Sequence, residues 1–387
     1  MVKVMLLGQG MAATVFAIGL ERIKMGEIEP YGVPLEKYNF PIDIKDIEIV
    51  GSVDVDARKV GSTIYDVAKD IYGFSNVPLS LSDVKIYKGI EAGYVKDIFP
   101  VESLDMDGYE ESLDKFTYIL KMLKPDVVID TTTTQHSIPF HDFSLLEKAV
   151  LEGRNVIPSQ IYAYLTLKYS EEVRKVAYVN MIPAPIANDK GIVKRAFELE
   201  SLILGDDGAT GATPLTADIL EHLNERNRKV RSIAQFNIGG NTDFLALTNE
   251  KRNKAKEYTK GSVVEDILGY DAPHYIKPTG YLEPLGDKKF VAMHIEYISF
   301  NGAIDEIIIN MRVNDSPALA GYMVDLARLA KYCLENSYYG TIYEINAFYM
   351  KKPGPSGSRN ISRIVAYNKL LSFLDGIKKF REEKIRV

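Results

Sequence analysis

The chain has 387 residues, of which 46% are hydrophobic, and its 47 basic and 53 acidic residues give a formal net charge of −6. This length allows two domains, or one domain with a large insertion, around a substantial core. The acidic balance argues against a general binder of nucleic acid or anionic membranes. Cys333, the single cysteine, excludes an internal disulfide and a cysteine-rich metal site. Because the sequence also shows no leader pattern and no apolar run of ~18 residues, we expect a cytoplasmic protein.

The chain opens with the pattern of a dinucleotide-binding fold. Val2–Leu7 predicts a strand, and the apolar stretch from Met11 to about Lys24 predicts a helix. The turn between them contains a G-x-G-x-x-A match, a common hexapeptide that becomes informative in this position. Glycines let the backbone approach a pyrophosphate, and a helix N-terminus supplies partial positive charge to it. The residues predicted to bind the dinucleotide here are Gly8, Gly10, Met11, Ala12 and Ala13.

The second strand indicates which dinucleotide is bound. Residues 26–45 are polar and proline-containing, so they are interpreted as an insertion before a strand from Ile47 to Val53. Asp54 ends this strand, where a carboxylate would bond the ribose hydroxyls and repel the additional phosphate of NADP. The sequence therefore favours NAD, with a solvated turn residue at position 54 as the alternative.

Helical and apolar patterns continue to alternate up to about residue 204. Helices are predicted at residues 112–124 and 144–152, and short buried strands at residues 126–129, 155–157, 175–181 and 201–204. This alternation favours a mostly parallel sheet that is covered on both faces. Polar side chains at two strand ends could line the cofactor cleft or be plain polar termini; they are Thr131, Thr132, Thr133 and Asn180.

The pattern changes after about residue 205. Strands predicted from Arg231 to Ile238 and from Lys289 to Phe300 are longer and alternate more regularly, which favours an antiparallel second domain. Asp315-Ser316-Pro317 combines a capping side chain with a first-turn proline, so it predicts the start of a helix that could return to the first domain. We predict a Rossmann-like, doubly wound α/β domain at residues 1–204 plus about 311–387. An α+β catalytic and oligomerisation domain is inserted at about 205–310.

A turn rich in glycine and threonine precedes the first helix of the inserted domain. Residues 205–213 read GDDGATGAT, and such a turn binds phosphate well through backbone N–H groups. The lysine of a Walker A loop is missing, and a flexible acidic turn is the alternative. Residues 237–243 place two amides and a carboxylate around a glycine pair, which suits either a tight turn or a polyhydroxylated ligand.

Several lysines follow in the second half of the chain. Lys256 and Lys260 belong to a basic run that would usually be a solvated helix face, but their spacing puts both ammonium groups on one face. Lys289 enters a strand, and Lys351 ends an apolar run. Lysines brought together would lower one another's pKa and offer both neutral bases and cationic electrophiles.

The histidines and carboxylates leave the question of a metal open. The five histidines follow no zinc-ligand spacing. A divalent cation held by Asp206 or Asp207 together with cofactor oxygens is possible on composition, and the sequence does not decide it.

Taken together, these motifs resemble myo-inositol-1-phosphate synthases of the bacterial and archaeal branch. Eight blocks occur in that family's order: the early GxGxxA, Asp54, GDDGATGAT, QFNIGGNTDF (235–244), AKEYTKGSVVED (255–266), GDKK (286–289), VNDSPALAG (313–321) and FYMKKPGP (348–355). The resemblance implies conversion of D-glucose 6-phosphate to 1L-myo-inositol 1-phosphate, with NAD reduced and reoxidised in one turnover. It also implies a role in inositol and phospholipid biosynthesis and a homotetramer built through the second domain.

The resemblance further implies roles for individual residues. The substrate phosphate is expected at Thr210, Gly211, Ala212 and Thr213, of which two differ from the family's serine and glutamine; Ala209 replaces a lysine. Side chains expected near the nicotinamide and the sugar are Asp207, Asn237, Asn241 and Asp243. Asp206 is also predicted to bind the cofactor. The family's four active-site lysines correspond to Lys256, Lys260, Lys289 and Lys351, and Asp287 and Asp315 are supporting carboxylates.

The implied mechanism explains why several cations would be needed. Oxidation at C5 makes a ketone whose enolate needs a positive partner, and so does the C1 oxygen when C6 attacks the aldehyde. We expect Lys256 and Lys351 at the C5 oxygen, and Lys260 and Lys289 near the C1 oxygen and the phosphate. The alternatives are an NAD-linked dehydrogenase that releases NADH and a non-catalytic NAD-binding regulatory protein.

Overall fold

The computed structural model describes residues 1–96, 98–241, 244–245 and 263–385. It contains two compact units, the first formed by Met1–Asp206 and Ser316–Thr341 and the second by Asp207–Asp315 and Ile342–Val387. The strands are β1 (Val2–Leu7), β2 (Ile47–Asp54), β3 (Ile86–Lys88), β4 (Val127–Asp130), β5 (Ala177–Asn180), β6 (Leu202–Leu204), β7 (Lys229–Gly239), β8 (His274–Tyr281), β9 (Lys288–Ile298) and β10 (Ile304–Asn314). The helices are α1 (Met11–Lys24), α2 (Ile64–Asp66), α3 (Tyr109–Leu123), α4 (Phe143–Glu152), α5 (Pro158–Glu172), α6 (Lys190–Glu198), α7 (Thr213–Asn224), α8 (Asp315–Glu335), α9 (Tyr343–Tyr349) and α10 (Arg363–Ile385).

The first unit is built on a six-stranded parallel sheet with the order β3-β2-β1-β4-β5-β6. Every residue of β4, β5 and β6 is buried, as expected for parallel strands covered on both faces. This strand order is that of a dinucleotide-binding doubly wound fold, in which ligands bind where the order reverses, here between β1 and β4. The predicted fold class is confirmed.

One predicted strand of this unit is wrong. Residues 155–157 form no strand; they lead into α5, which begins at Pro158. The β-prone residues Val156 and Ile157 pack in the hydrophobic core instead, because a proline at the first helical position starts a helix directly after them. The insertion before β2 contains two short 3-10 turns, Pro34–Lys37 and Ile44–Asp46.

The second unit contains a four-stranded sheet with the order β10-β9-β7-β8. β9 pairs antiparallel with both neighbours, whereas β8 joins β7 in parallel. The expected antiparallel sheet is therefore mixed at this edge. β9 and β7 alternate between buried and less buried residues, so one face of the sheet forms the core with α7 and the helical residues 263–268.

The two units differ from the predicted domains at the C-terminal end. The predicted division placed all residues after about 311 in the first domain, whereas residues 316–341 group with the first unit and residues 342–387 with the second. The reason is that α10 packs against α7 and α9. None of the helices in the described part of the chain combines the length and apolar character that a membrane crossing requires.

Candidate active site

The glycine turn after β1 is held tightly against the end of β4. Gly8 has a φ of +83°, and a Cβ there would lie 2.8 Å from the Thr132 Cα. Its N–H donates to the Val53 carbonyl at 2.7 Å, and Thr131 Oγ1 donates to the Gly8 carbonyl at 2.9 Å. Only glycine fits this position, because a side chain would meet backbone at a φ that L-residues rarely adopt. The turn thus ties together the ends of β1, β2 and β4.

The N-terminus of α1 is open for an anion. Gly10 caps the helix without a side-chain hydrogen bond, and the first turn carries no acidic residue. A Cβ on Gly10 would have nothing within 4 Å, so space remains beside the backbone. Met11, Ala12 and Ala13 form the first turn, whose N–H groups and dipole favour a phosphate. The residues present therefore fit the pyrophosphate of a dinucleotide.

Asp54 is the last residue of β2 and is buried. Its Oδ1 accepts the N–H groups of Val55 and Asp56 at 2.7 and 2.9 Å. Its Oδ2 lies 3.4 Å from the Nζ of Lys59. These contacts fix the carboxylate at the carboxyl end of the strand, where the ribose of a dinucleotide binds in this fold.

The threonines after β4 make hydrogen bonds within the protein. Thr131 Oγ1 bonds the Gly8 carbonyl, and Thr132 Oγ1 donates to Asp130 Oδ1 at 2.6 Å. Gln135 Nε2 donates to Thr132 Oγ1, and Thr133 is half-buried beside them. These side chains shape the end of β4 at the point where the strand order reverses.

Asp206 and Asn180 join the ends of β5 and β6. Asp206 Oδ1 accepts Asn180 Nδ2 at 2.8 Å and the Ala187 N–H at 2.9 Å; Oδ2 accepts the N–H of Ile186 and both the N–H and the Nδ2 of Asn188. Burial raises the pKa of Asp206 to about 6. With five donors around it, this carboxylate positions the loop after β5 and has little capacity left for a cation.

The neighbouring Asp207 forms an ion pair with Lys351 in the second unit. Asp207 Oδ1 and Lys351 Nζ are 3.0 Å apart, and both residues are buried. The Lys351 N–H also donates to the Asp207 carbonyl at 2.6 Å, and the Ala209 N–H donates to the Tyr349 carbonyl at 2.7 Å. Two short backbone contacts thus hold the lysine on the loop at residues 207–211.

Lys289 lies against the same loop. Its Nζ is 2.7 Å from Asp315 Oδ2 and 2.9 Å from Oδ1, and the residue is only 6% exposed. A Cβ on Gly211, which has a φ of +71°, would lie 2.3 Å from this Nζ. Phe244 covers the ammonium group, with the ring centroid 5.8 Å away. A buried lysine that is paired with a carboxylate therefore lies against each end of the loop.

This loop leads directly into α7. Ala212 precedes the helix without a side-chain cap, Thr213 is its first residue, and the first turn contains no acidic side chain. Thr210 is half-buried and follows the buried Ala209. A helix N-terminus next to the Lys289 ammonium is an arrangement that favours an anion.

The predicted amide and carboxylate ligands differ in how deeply they are buried. Asn241 Nδ2 donates to Asp287 Oδ1 at 3.0 Å, and both residues are partly accessible near the start of β9. Asn237 is buried: its Nδ2 donates to the Lys277 carbonyl and its Oδ1 accepts from Gln235 Nε2. The sequence interpretation did not include Gln235, which alternates with Asn237 along β7 and is connected to α7.

The connection runs through Thr216. Thr216 Oγ1 bonds the Ala212 carbonyl at 2.9 Å and Gln235 Oε1 at 3.0 Å. Alternation along β7 is the signal that could have placed Gln235 and Asn237 on one face. The hydrogen bonds that run from Asn237 through Gln235 to Thr216 therefore support the start of α7.

Comparisons with known proteins identify the family of this chain. A family model described as myo-inositol-1-phosphate synthase matches residues 211–316. A solved structure of a myo-inositol-1-phosphate synthase-related protein from Thermotoga maritima is 51% identical, covers 96% of this chain and 98% of its own, and superposes with a TM-score of 0.91. The chain belongs to the myo-inositol-1-phosphate synthase family.

More distant members of the synthase family match along most of their length as well. Inositol-3-phosphate synthase from Mycolicibacterium smegmatis is 24% identical over 97% of this chain and 98% of its own. The structure of inositol-3-phosphate synthase from Caenorhabditis elegans, at 16% identity, covers 97% of this chain and 85% of its own with a TM-score of 0.79. This last similarity shows the shared fold.

Some predicted synthase residues lie outside the described part of the chain, namely Lys256, Lys260 and Asp243. The three departures from the family's phosphate loop can be placed: Ala209 and Ala212 are buried, and Thr210 is half-buried. Position 209 therefore supplies no cation. Among the described residues, no three histidine, cysteine or acidic side chains converge as a metal site.

Proposed function

We propose that this protein converts D-glucose 6-phosphate to 1L-myo-inositol 1-phosphate. One observation supports this most directly: in a chain of the synthase family, two buried lysines lie against the loop at residues 207–211, which leads into α7, and each is paired with a carboxylate, Lys351 with Asp207 and Lys289 with Asp315. Buried ammonium groups are expected where a reaction develops negative oxygen atoms away from water. The dehydrogenase and regulatory alternatives have no comparable observation in their favour.

The first unit would hold NAD, which accepts a hydride from C5 of the open-chain sugar and returns it after ring closure. Gly8, Gly10 and the first turn of α1 would bind the pyrophosphate, and Asp54 the ribose hydroxyls. Thr131, Thr132 and Thr133 would line the cleft at the reversal of strand order, with Asn180 and Asp206 fixing the adjacent loop. The tight approach of Gly8 to β4 keeps this backbone in place.

The second unit would supply the cations. Lys351 is held by Asp207 and would stabilise the oxygen on C5 when the C6 hydrogen is removed. Lys289, oriented by Asp315, would face the C1 oxygen and the phosphate, which α7 also attracts. Lys256 would join Lys351, and Lys260 would join Lys289; because Ala209 carries no charge, phosphate binding would depend on Lys260 and on backbone groups of Gly211, Ala212 and Thr213.

Asn241 and Asp287 would bond sugar hydroxyls, and Asn237 would support them from within β7. The family resemblance adds Asp243, which lies outside the described residues, to this set. A divalent cation, if the reaction requires one, would be held mainly by substrate or cofactor oxygens. The reasons are that Asp206 accepts five N–H groups and that Asp207 is bound to Lys351. Activity in the presence of a chelator tests this assignment.

The proposed function is tested by incubating the protein with glucose 6-phosphate and NAD. Phosphorus NMR follows inositol phosphate while the absorbance of NADH is recorded in parallel. We expect product with almost no net NADH. Stoichiometric NADH without inositol phosphate would identify a dehydrogenase instead, and absence of both would favour a binding protein.

We also propose a homotetramer assembled through the second unit. The face of the mixed sheet opposite its core carries large apolar side chains, among them Phe236, Tyr275, Ile304 and Ile308, which are between 42% and 68% exposed. An exposed apolar face of this kind usually marks a protein–protein contact. Light scattering on Ile308→Asp should report a smaller mass than wild type, and an unchanged mass would contradict this interface.

A further inference from the structure

Three lysine side chains are buried among the described residues: Lys59, Lys289 and Lys351. The proposed reaction uses two of them and leaves Lys59 without a role. Lysine is almost never buried unless it is paired, so we expect the buried Lys59 to have a charged partner. The partner is Asp54.

Lys59 lies among acidic and aromatic groups at the end of β2. Its Nζ is 3.4 Å from Asp54 Oδ2 and 3.7 Å from Asp56 Oδ2. The Tyr72 ring centroid is 5.7 Å away, and the Tyr72 hydroxyl donates to the Gln9 carbonyl at 3.4 Å. The ammonium group is thus connected both to the ribose carboxylate and to the glycine turn.

The lysine keeps its charge in this position. Burial lowers the pKa of Lys59, but the charge of Asp54, together with Tyr72 and Asp56, outweighs it and raises the pKa above the usual value for lysine. Lys59 is therefore a cation throughout the neutral range.

The four charged residues of this cluster have no net charge together. Asp54 and Asp56 contribute two negative charges, and Lys59 and Arg58 contribute two positive ones. Arg58 is 59% exposed and binds Asp56 through both Nε and Nη2, at 2.9 and 2.6 Å. In this fold a carboxylate at the second strand selects NAD, and a nearby cation accommodates the 2′-phosphate of NADP. Here both groups occupy the same place.

We propose that Lys59 is a specificity-determining residue at the adenosine end of the cofactor site. It fixes the Asp54 carboxylate toward the ribose hydroxyls, and it becomes the binding group for a 2′-phosphate once Asp54 is removed. This inference rests on the proposed binding of NAD by the first unit. Its ligand is the 2′-phosphoadenosine end of a dinucleotide.

The test measures dissociation constants for NADH and NADPH by nicotinamide fluorescence, with 2′,5′-ADP as a competitor that reports the adenosine end alone. The variants are Asp54→Ser, Lys59→Met and Asp54→Ser/Lys59→Met. Lys69→Met is the matched control, since it removes an exposed lysine of the same unit that contacts Tyr65.

We expect wild type and Lys69→Met to prefer NADH. Asp54→Ser should bind NADPH and 2′,5′-ADP on the order of tenfold more tightly than wild type and NADH more weakly, as one charge-assisted contact to a phosphate would produce. Adding Lys59→Met should abolish that gain, and Lys59→Met alone should weaken NADPH more than NADH.

The inference is overturned if Asp54→Ser gains the same affinity for NADPH with and without Lys59→Met. Should the double variant fail to fold, Asp54→Ser/Lys59→Arg replaces it: the gain must persist there, because the cation is retained. Wild type that binds neither dinucleotide would refute the proposed function as well. Wild type that binds NADH normally, with no effect of Lys59, would refute only this inference.

Discussion

Replacement of Gly211 by alanine tests whether the loop after β6 places the Lys289 ammonium. The new Cβ would lie 2.3 Å from Lys289 Nζ and 3.1 Å from Asp315 Oδ1. The lysine tip is the flexible partner, so it must move, and its contact with Asp315 would weaken. The positive φ of +71° adds about 1–2 kcal/mol of backbone strain.

The magnitude on activity follows from the role proposed for Lys289. Loss of one preorganised group at a developing oxyanion lowers kcat by about 10²–10³-fold. We expect Gly211→Ala to show a loss of this order in the coupled NMR assay, while unfolding in denaturant shows a drop of only about 1–2 kcal/mol.

Gly302→Ala is the matched control for this experiment. Gly302 has a φ of +72°, in the connection between β9 and β10, and a Cβ there would have nothing within 4 Å. It should reproduce the loss of stability and leave turnover unchanged. If Gly211→Ala and Gly302→Ala retain equal activity, the loop does not place Lys289 for catalysis.

Three further predictions concern other contacts. Lys351→Met and Asp207→Asn should each lower kcat by about 10²–10³-fold. Each should also lower the free energy of unfolding by about 3–5 kcal/mol, because a buried charge loses its partner. The double variant should lose less unfolding free energy than the two single losses added together, and additive losses in a double-mutant cycle would contradict the pairing. Burial raises the pKa of Asp206 from 3.8 to about 6, so the folded protein binds this proton more tightly than the unfolded chain does. The contribution of Asp206 to the free energy of unfolding therefore falls as the pH rises through this range. Asp206→Asn should lack this pH dependence in denaturant titrations, and a pH profile identical to that of wild type would contradict the assignment. Gly8→Ala should lower both the melting temperature and the affinity for NADH, since its Cβ would meet the Thr132 backbone. Gly10→Ala should keep the melting temperature and lose affinity for NADH, because a Cβ there meets no protein atom. An unaltered NADH titration of Gly10→Ala would place the pyrophosphate elsewhere.

Much of the first unit could be predicted because its elements are local. Val2–Leu7 and Met11–Lys24 have the predicted bounds, since an apolar run, a glycine turn and an apolar helix each follow from neighbouring residues. Residues 155–157 were the exception. The β-branched side chains of Val156 and Ile157 favour a strand in isolation, but with a helix beginning at Pro158 they pack in the core instead.

The second unit was less predictable because its contacts are distant in the chain. Alternation identified β7 and β9, but the parallel pairing of β8 with β7 depends on how the chain returns after residue 263. The grouping of residues 342–387 with this unit depends on the packing of α10 against α7 and α9, which no local pattern encodes.

Asp206 and Asp207 show where local information ends. The sequence places two carboxylates next to each other, and either could bind a cofactor, a cation or a lysine. In the folded chain Asp206 accepts five N–H groups, whereas Asp207 pairs with Lys351, 144 positions away. Lys59 is a similar case, because the charged residues around it suggest a solvated turn and only the fold buries its ammonium against Asp54.

The sequence alone therefore determined the glycine turn after β1 and the order of the first elements, since these depend on local periodicity. Through the family resemblance it also predicted that Lys289 and Lys351 belong to one set of residues. The tertiary structure decided which carboxylate each lysine meets and which lysines are buried. The physical reason is that the charge a buried lysine can keep depends on partners that the chain brings together only when it folds.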